Sequence, residues 1–243
     1  MIESTNISDQ IHLLNWVRAE NQRPTPIENY NRIHHFGKWI QFKKTKGCFN
    51  VRAQVLIRDS IVPATSIDDE PCTIEKGEWN DSYTDMKIFD DNEVQIDHMV
   101  PLKEAYLAGG HEWSRAKRCV YANFLNEKDH LISTSNFENQ SKADKTPEKY
   151  LPPKATYVCN YLKSWLKVKL IWKLSMQDSE ADAIKKHIKD YNCKEADFNL
   201  TRADVKTTRK QIVNLESFCP VARMVKPKLK LSQPSLTNPS PGI

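Results

Sequence analysis

Two short segments about forty residues apart constrain this chain of 243 residues more than anything else in it: Ile96-Asp97-His98-Met99-Val100-Pro101-Leu102 and Ser135-Asn136-Phe137-Glu138-Asn139-Gln140-Ser141-Lys142. Val94 to Ile96 suit a strand that delivers Asp97 and His98 to its end, and Pro101, which has no amide hydrogen for a sheet ladder, stops it. Leu131 to Thr134 read as a second strand. Ser135 then reads as the N-cap of a helix, and Glu138 completes a capping box. Asn139 and Lys142 fall three residues apart and share one face of that helix. If that face meets the end of the first strand, Asp97, His98, Asn139 and Lys142 converge on one small volume built from strand, strand and helix.

Those residue types carry a definite chemistry. An imidazole takes a proton from water near neutral pH, while an adjacent carboxylate and a distant carboxamide oxygen can share a hard cation. Hydrolysis of a phosphodiester needs such parts, because the water must lose a proton and the leaving oxygen must have its charge stabilised.

Around these segments the pattern is mixed. Val51 to Arg58 reads as a helix or a strand, which its period leaves open, and Cys72 to Trp79 as a turn-containing β segment. Lys103 to Leu107 and Ser114 to Leu125 read as helices separated by Gly109-Gly110, with Ser114 as an N-cap. Tyr157, Val158, Tyr161, Leu162, Trp165, Val168 and Trp172 recur at helical spacing, a core stripe rather than a base-stacking platform, and Ala181 to Tyr191 reads as a last helix. Near the start, Leu13, Leu14, Trp16 and Val17 suggest a short amphipathic helix broken at Arg23-Pro24-Thr25-Pro26. His34 and His35, beside Phe36 and Trp39, read as packing or surface residues rather than ligands, because no carboxylate stands at helical spacing from them.

With 39% apolar residues the chain can bury the core of one ordinary domain plus appendages. Lysine and arginine exceed aspartate and glutamate by 36 to 31, and Lys142, Lys145, Lys149, Lys154, Lys163, Lys167, Lys169 and Lys173 concentrate that excess. Such a run suits either a polyanionic partner or a solvated helix face. The start lacks a basic and apolar leader and no apolar run is long enough to span a bilayer, so the expectation is a soluble, cytoplasmic protein with no membrane partner. Six cysteines with no CxxC pair read neither as a disulfide scaffold nor as a structural zinc site. No GxxxxGK[ST] loop occurs, so an energy-driven partner would be a separate protein.

The ordered set Cys48 with Arg52-Ala53-Gln54-Val55-Leu56, Cys72 to Gly77-Glu78-Trp79, Ile96 to Leu102, Trp113-Ser114, Tyr121-Ala122-Asn123, Asn139 to Lys145, and Leu151-Pro152-Pro153 with Cys159 resembles the HNH, or ββα-metal, nucleases. The nearest branch is that of secreted bacterial and fungal HNH proteins and of the C-terminus of GmrSD-type restriction enzymes. The HNH domains of RNA-guided CRISPR effectors have a similar Asp-His and Asn-x-x-Lys arrangement. The resemblance implies an α+β fold with a ββα-metal (His-Me finger) core embedded in helices over residues 46–192; by their own pattern and composition residues 1–45 read as an N-terminal extension and residues 193–243, basic and ending rich in Ser and Pro, as a largely disordered tail.

By that resemblance His98 is the general base and Asp97 and Asn139 hold one divalent ion, Mg²⁺ with Mn²⁺ or Zn²⁺ as alternatives. Lys142 lends a point charge to the pentacovalent state, and Arg52 and Lys145 contact the nucleic acid. Two departures stand out. His130 occupies the position, nine before Asn139, where HNH motifs usually have an asparagine, and it either braces the loop around His98 or acts as a third ligand. Gln140 replaces an arginine that usually follows the helix asparagine, which removes one phosphate contact. Cys72 and Cys159 correspond to cysteines that look paired in exported relatives; here they are expected close in space but reduced. The implied activity is metal-dependent hydrolysis of DNA, with RNA open. The alternatives are a toxin-like effector nuclease acting on a competitor or host, and a non-catalytic nucleic-acid-binding module.

Overall fold

The computed structural model of the chain describes residues 4–5, 25–26, 28–41, 48–66, 72–194 and 200–219. In chain order these form β1 (Ser4–Thr5), α1 (Arg32–His35), α2 (Val51–Asp59), β2 (Thr65–Ser66), β3 (Ile74–Asn80), β4 (Lys87–Asp90), β5 (Val94–His98), α3 (Leu102–Leu107), α4 (Arg115–Ala122), β6 (Leu131–Ser135), α5 (Asn136–Lys142), α6 (Val158–Trp172), α7 (Asp178–Asp190), β7 (Leu200–Thr201) and α8 (Arg202–Glu216). Small antiparallel sheets among helices make this an α+β protein, as expected. The sheets are β2–β3–β4, β5–β6 and β1–β7.

Residues 51–59 settle as a helix for a local reason: Asn50 accepts a hydrogen bond from the Ala53 amide at 3.0 Å and caps the first turn. Val51, Ala53, Val55 and Leu56 are then buried. They meet Trp79, Ile88, Val94, Ile96 and Leu131 in the smaller of two main cores. Within β5 the period of two sends Val94 and Ile96 into that core and Asp97 to the opposite face, across from Ile132 in the antiparallel register Asp97↔Ile132. A two-stranded ribbon is marginal alone; here β5–β6 is held between both cores.

The larger core is organised by α6, whose Tyr161, Leu162, Trp165, Val168 and Trp172 are buried, so the aromatic stripe is packing. Lys169 on the same helix is fully buried and donates to Glu104 Oε1 at 2.9 Å, Glu180 Oε2 at 2.8 Å and Ser175 O at 2.9 Å, tying α3, α6 and α7 together. Lys167 pairs with Glu127 at 2.6 Å, and Lys154 with Asp85. The lysine run is therefore in part internal wiring and not a continuous polyanion face.

Three expectations need correction. The stretch 193–243 is not simply a disordered tail: residues 200–219 form β7 and α8, Ile212 and Cys219 are buried in the larger core, and α7 is not the last helix. Residues 28–41 are not merely an extension, since Phe36 is buried in the same core and the Ile40 amide donates to Asn123 Oδ1 at 2.9 Å. The cysteines pair as Cys48–Cys72, Cys119–Cys219 and Cys159–Cys193, so Cys72 and Cys159 are neither reduced nor partners. The suggested helix around Leu13 to Val17, and residues 220–243, lie outside the described residues.

The Cys119–Cys219 bridge spans 100 residues and clips the end of α8 to α4. In the chain-entropy account, a loop of that size stabilises the fold by about 4–5 kcal/mol. The Cys119→Ser, Cys219→Ser protein should melt lower by on the order of 10 °C. A thermal unfolding curve superimposing on that of the parent would show that the bridge contributes little.

Candidate functional site

Three elements build one cleft. The Ser135 side chain accepts from the Glu138 amide at 3.2 Å and starts α5 directly after β6. Only this half of the capping box forms, because the Ser135 amide donates to Asp81 Oδ2 at 3.1 Å and the Glu138 carboxylate accepts from Tyr150 Oη at 2.8 Å. The helix packs against β5 and β6. A cleft of about 390 Å³ opens there, lined by Asp97, His98 and Asn139 together with Tyr30, Arg32 and Lys103.

His98, at the end of β5, is nearly buried. Its Nε2 lies 3.0 Å from the Ala122 carbonyl oxygen, which can only accept, so Nε2 carries the ring proton and Nδ1 holds a free lone pair. Among the described residues no side chain hydrogen-bonds to Nδ1. Trp39 lies parallel to the ring, centroids 5.4 Å apart and planes 6° apart, and Tyr121 is nearly parallel at 6.4 Å. Burial holds the His98 pKa well below the ordinary imidazole value, and the positive potentials of His130, Arg32 and Lys142 add to this while the bond to Ala122 opposes it. The ring is therefore neutral at physiological pH, as a base must be.

Asp97 is held from below. The Lys142 ammonium lies 2.9 Å from both its carboxylate oxygens and also donates to His98 O at 3.0 Å. Tyr83 Oη donates to Asp97 Oδ2 at 2.6 Å. Burial and the neighbouring Asp97 charge raise the Tyr83 pKa far above that of a free phenol, so it remains a donor. Lys142 is fully buried. The expected phosphate contact is thus corrected: the ammonium faces Asp97, inside the protein, and orients that carboxylate.

The other expected residues also lie elsewhere. His130 is buried among Tyr121, Phe124 and Trp172, and its Nε2 donates to Tyr121 O at 2.7 Å. Its carbonyl accepts from the Met99 amide at 3.0 Å. It braces the segment after His98 and does not line the cleft, which corrects the third-ligand and catalytic alternatives. Arg52 donates to Asp91 O and Val94 O, both at 3.1 Å, and fastens the β4–β5 turn. Lys145 donates to Ser141 O at 2.7 Å. Neither lines the cleft, so neither is placed to hold a phosphate there.

Several residues that position the site carry no motif. Asp81 is fully buried and accepts from the Tyr83 amide at 2.9 Å, Thr134 Oγ1 at 2.7 Å and the Ser135 amide. It thereby docks the β3–β4 turn on β6 and delivers Tyr83 to Asp97. Tyr30, Arg32 and Trp39 come from the supposed extension. The one available hint was the aromatic density of residues 30–39, which marks packing without saying against what.

A hard cation fits this donor set. A carboxylate offers about four lone-pair directions; Lys142 and Tyr83 occupy those facing the interior, and Asp97 still lines the cleft. The Asn139 carboxamide lines the same cleft and has no protein partner among the described residues. Two oxygens suit Mg²⁺, which keeps most of its waters, better than zinc.

Glu28, His34 and His35 also come together, so the two histidines read as packing or surface residues do have a carboxylate beside them. His35 Nδ1 accepts from the Asn31 amide at 2.8 Å, which forces the proton onto Nε2, where it donates to Glu28 Oε1 at 2.9 Å. That nitrogen has no lone pair to give a metal, and the trio works as a clamp on α1.

Comparison with known proteins finds similarity to a protein named as secreted. It is 34% identical over 160 residues, 65% of this chain and 74% of the relative, to an uncharacterized secreted protein of Arthroderma benhamiae. The chain belongs to the family of that secreted protein. No family model matches it, and no solved structure does. Membership of this family and the three disulfides overturn the expectation of a reduced, cytoplasmic protein, because such bridges form and persist in oxidising compartments. Among the described residues no helix is long and apolar enough to cross a membrane.

Proposed function

We propose that the protein is an exported, metal-dependent endonuclease of the ββα-metal (HNH) type that hydrolyses phosphodiester bonds of DNA. One observation carries this reading: strand, strand and helix bring Asp97, His98 and Asn139 to a single cleft, with the His98 tautomer set by Ala122 O so that Nδ1 is a free base. Asp97 and Asn139 would hold the divalent ion, which supplies Lewis acidity toward the phosphate and its leaving oxygen. His98 Nδ1 takes a proton from water, the water oxygen bonds to phosphorus, and the P–O3′ bond breaks; the 3′ oxygen then gains a proton from solvent. Lys142 and Tyr83 hold Asp97, and Trp39 and Tyr121 hold the His98 ring.

The test is incubation of the purified, oxidised protein with supercoiled plasmid, and separately with RNA, in Mg²⁺, Mn²⁺, Zn²⁺ or EDTA. We expect nicking or linearisation of the plasmid with Mg²⁺ or Mn²⁺ and none in EDTA. Cleavage of RNA alone would reverse the substrate assignment. A gel shift without cleavage under every metal would replace the enzyme by a binding module, and neither binding nor cleavage would end the nuclease reading. The disulfides favour a version of this activity directed at nucleic acid outside the producing cell, including that of a competitor or host.

A further inference from the structure

We infer that Arg32 grips the scissile phosphodiester beside His98, on a plate formed by Trp39; the assignment rests on the nuclease reading above. Most cations around the cleft are already engaged. Lys142 is consumed by Asp97, Arg52 by two backbone carbonyls and Lys145 by Ser141 O. Lys103 lines the cleft but is paired with Asp144 at 2.5 Å. Arg32 lines the same cleft, is exposed, and among the described residues has neither a carboxylate nor a carbonyl partner.

Its place is nevertheless well defined. The guanidinium carbon lies 5.5 Å from the centroid of the Trp39 ring, and that same indole is parallel to His98. Stacking on an aromatic face restrains the guanidinium while leaving its edge N–H groups free, and those match two phosphate oxygens side by side. Arg32 opens α1, whose backbone is fixed from several sides. Asn31 caps it through the His34 amide at 2.9 Å, His35 bridges the Asn31 amide and Glu28, and Arg118 donates to His35 O at 3.1 Å.

The experiment separates this assignment from the reading beneath it. In a His98→Ala background, where cleavage is expected to be about a thousandfold slower, anisotropy of a labelled duplex across a salt series gives the slope of log K against log salt. Adding Arg32→Ala should lower that slope by about 0.9, one phosphate contact on duplex DNA. With His98 intact, Arg32→Ala should raise KM by about tenfold or more, with a smaller change in kcat, and Arg32→Lys should recover part of the loss. Should Arg32→Ala fold poorly by circular dichroism, Arg32→Gln, which keeps the aliphatic stem over Trp39, carries the same comparison. If the parent cleaves DNA while the Arg32 variants keep its KM and salt slope, Arg32 is not the phosphate grip and the nuclease reading stands. If the parent neither binds nor cleaves, the nuclease reading fails and takes this assignment with it.

Discussion

His98→Ala should cut kcat/KM for plasmid cleavage by about a thousandfold, in the range general-base removal produces. The expectation follows from how completely the ring is committed: one nitrogen is given to Ala122 O, both neighbours Trp39 and Tyr121 are parallel to it, and the other nitrogen is free. His98→Asn, with a weaker base in a similar volume, should be nearly as impaired. The pH profile gives an independent check. Because burial depresses the His98 pKa, the base stays neutral through pH 6.5, and activity should not fall until the pH drops well below the value at which a free imidazole protonates.

Stability falls over the same range. Burial lowers the His130 pKa from 6.5 to about 4, so between these values the unfolded chain binds more protons than the folded one. Stability is therefore full above pH 6.5 and declines as pH falls through that window, and His98 acts in the same direction. Circular dichroism beside the rate measurement separates the two effects. A wild-type profile losing half its activity at pH 6.5 while the protein is still folded would remove His98 as the buried neutral base, and an active His98→Ala protein would remove it altogether.

Lys142→Met should be the most destabilising single substitution at the site, by about 3–5 kcal/mol. The ammonium is fully buried, and its loss leaves the Asp97 carboxylate in the interior with Tyr83 as its remaining interior donor. Burial pulls the Lys142 pKa down while Asp97 pulls it back up, which is the signature of a pair whose partners depend on one another. Denaturant unfolding measures the cost. The double variant Lys142→Met, Asp97→Leu should regain much of the lost stability, because an apolar pair of similar volume is often neutral, yet it should not cleave. A single-variant loss below about 1 kcal/mol, or a double variant no better than the single, would mean that this pair is not what holds Asp97.

Most of the local architecture around the candidate site could be read from the chain. Strands at Val94 and Leu131, the Pro101 stop, the Ser114 and Ser135 caps and the α6 core stripe all rest on interactions within a few residues of one another. What was misread involves pairing over distance. Lys142, Lys169, Arg52 and His130 looked available because a side chain's partner is not encoded beside it; each is satisfied by a group more than eight residues away. The cysteines failed similarly, since spacing along the chain says nothing of which two sulfurs meet, and Cys119 finds Cys219 only through the packing of α8.

The sequence by itself determined which residues can do chemistry and the small strand and helix elements that carry Asp97, His98 and Asn139. Only the tertiary structure decided which atoms of those residues are free. Asp97 is turned by Lys142 and Tyr83, the His98 proton is set by a carbonyl on α4, and Arg32 enters the cleft from a segment more than sixty residues before His98. The physical reason is that capping and periodicity act over one or two turns. The hydrogen bond that selects a tautomer, or the ion pair that occupies a lysine, depends on which distant surfaces are buried against each other.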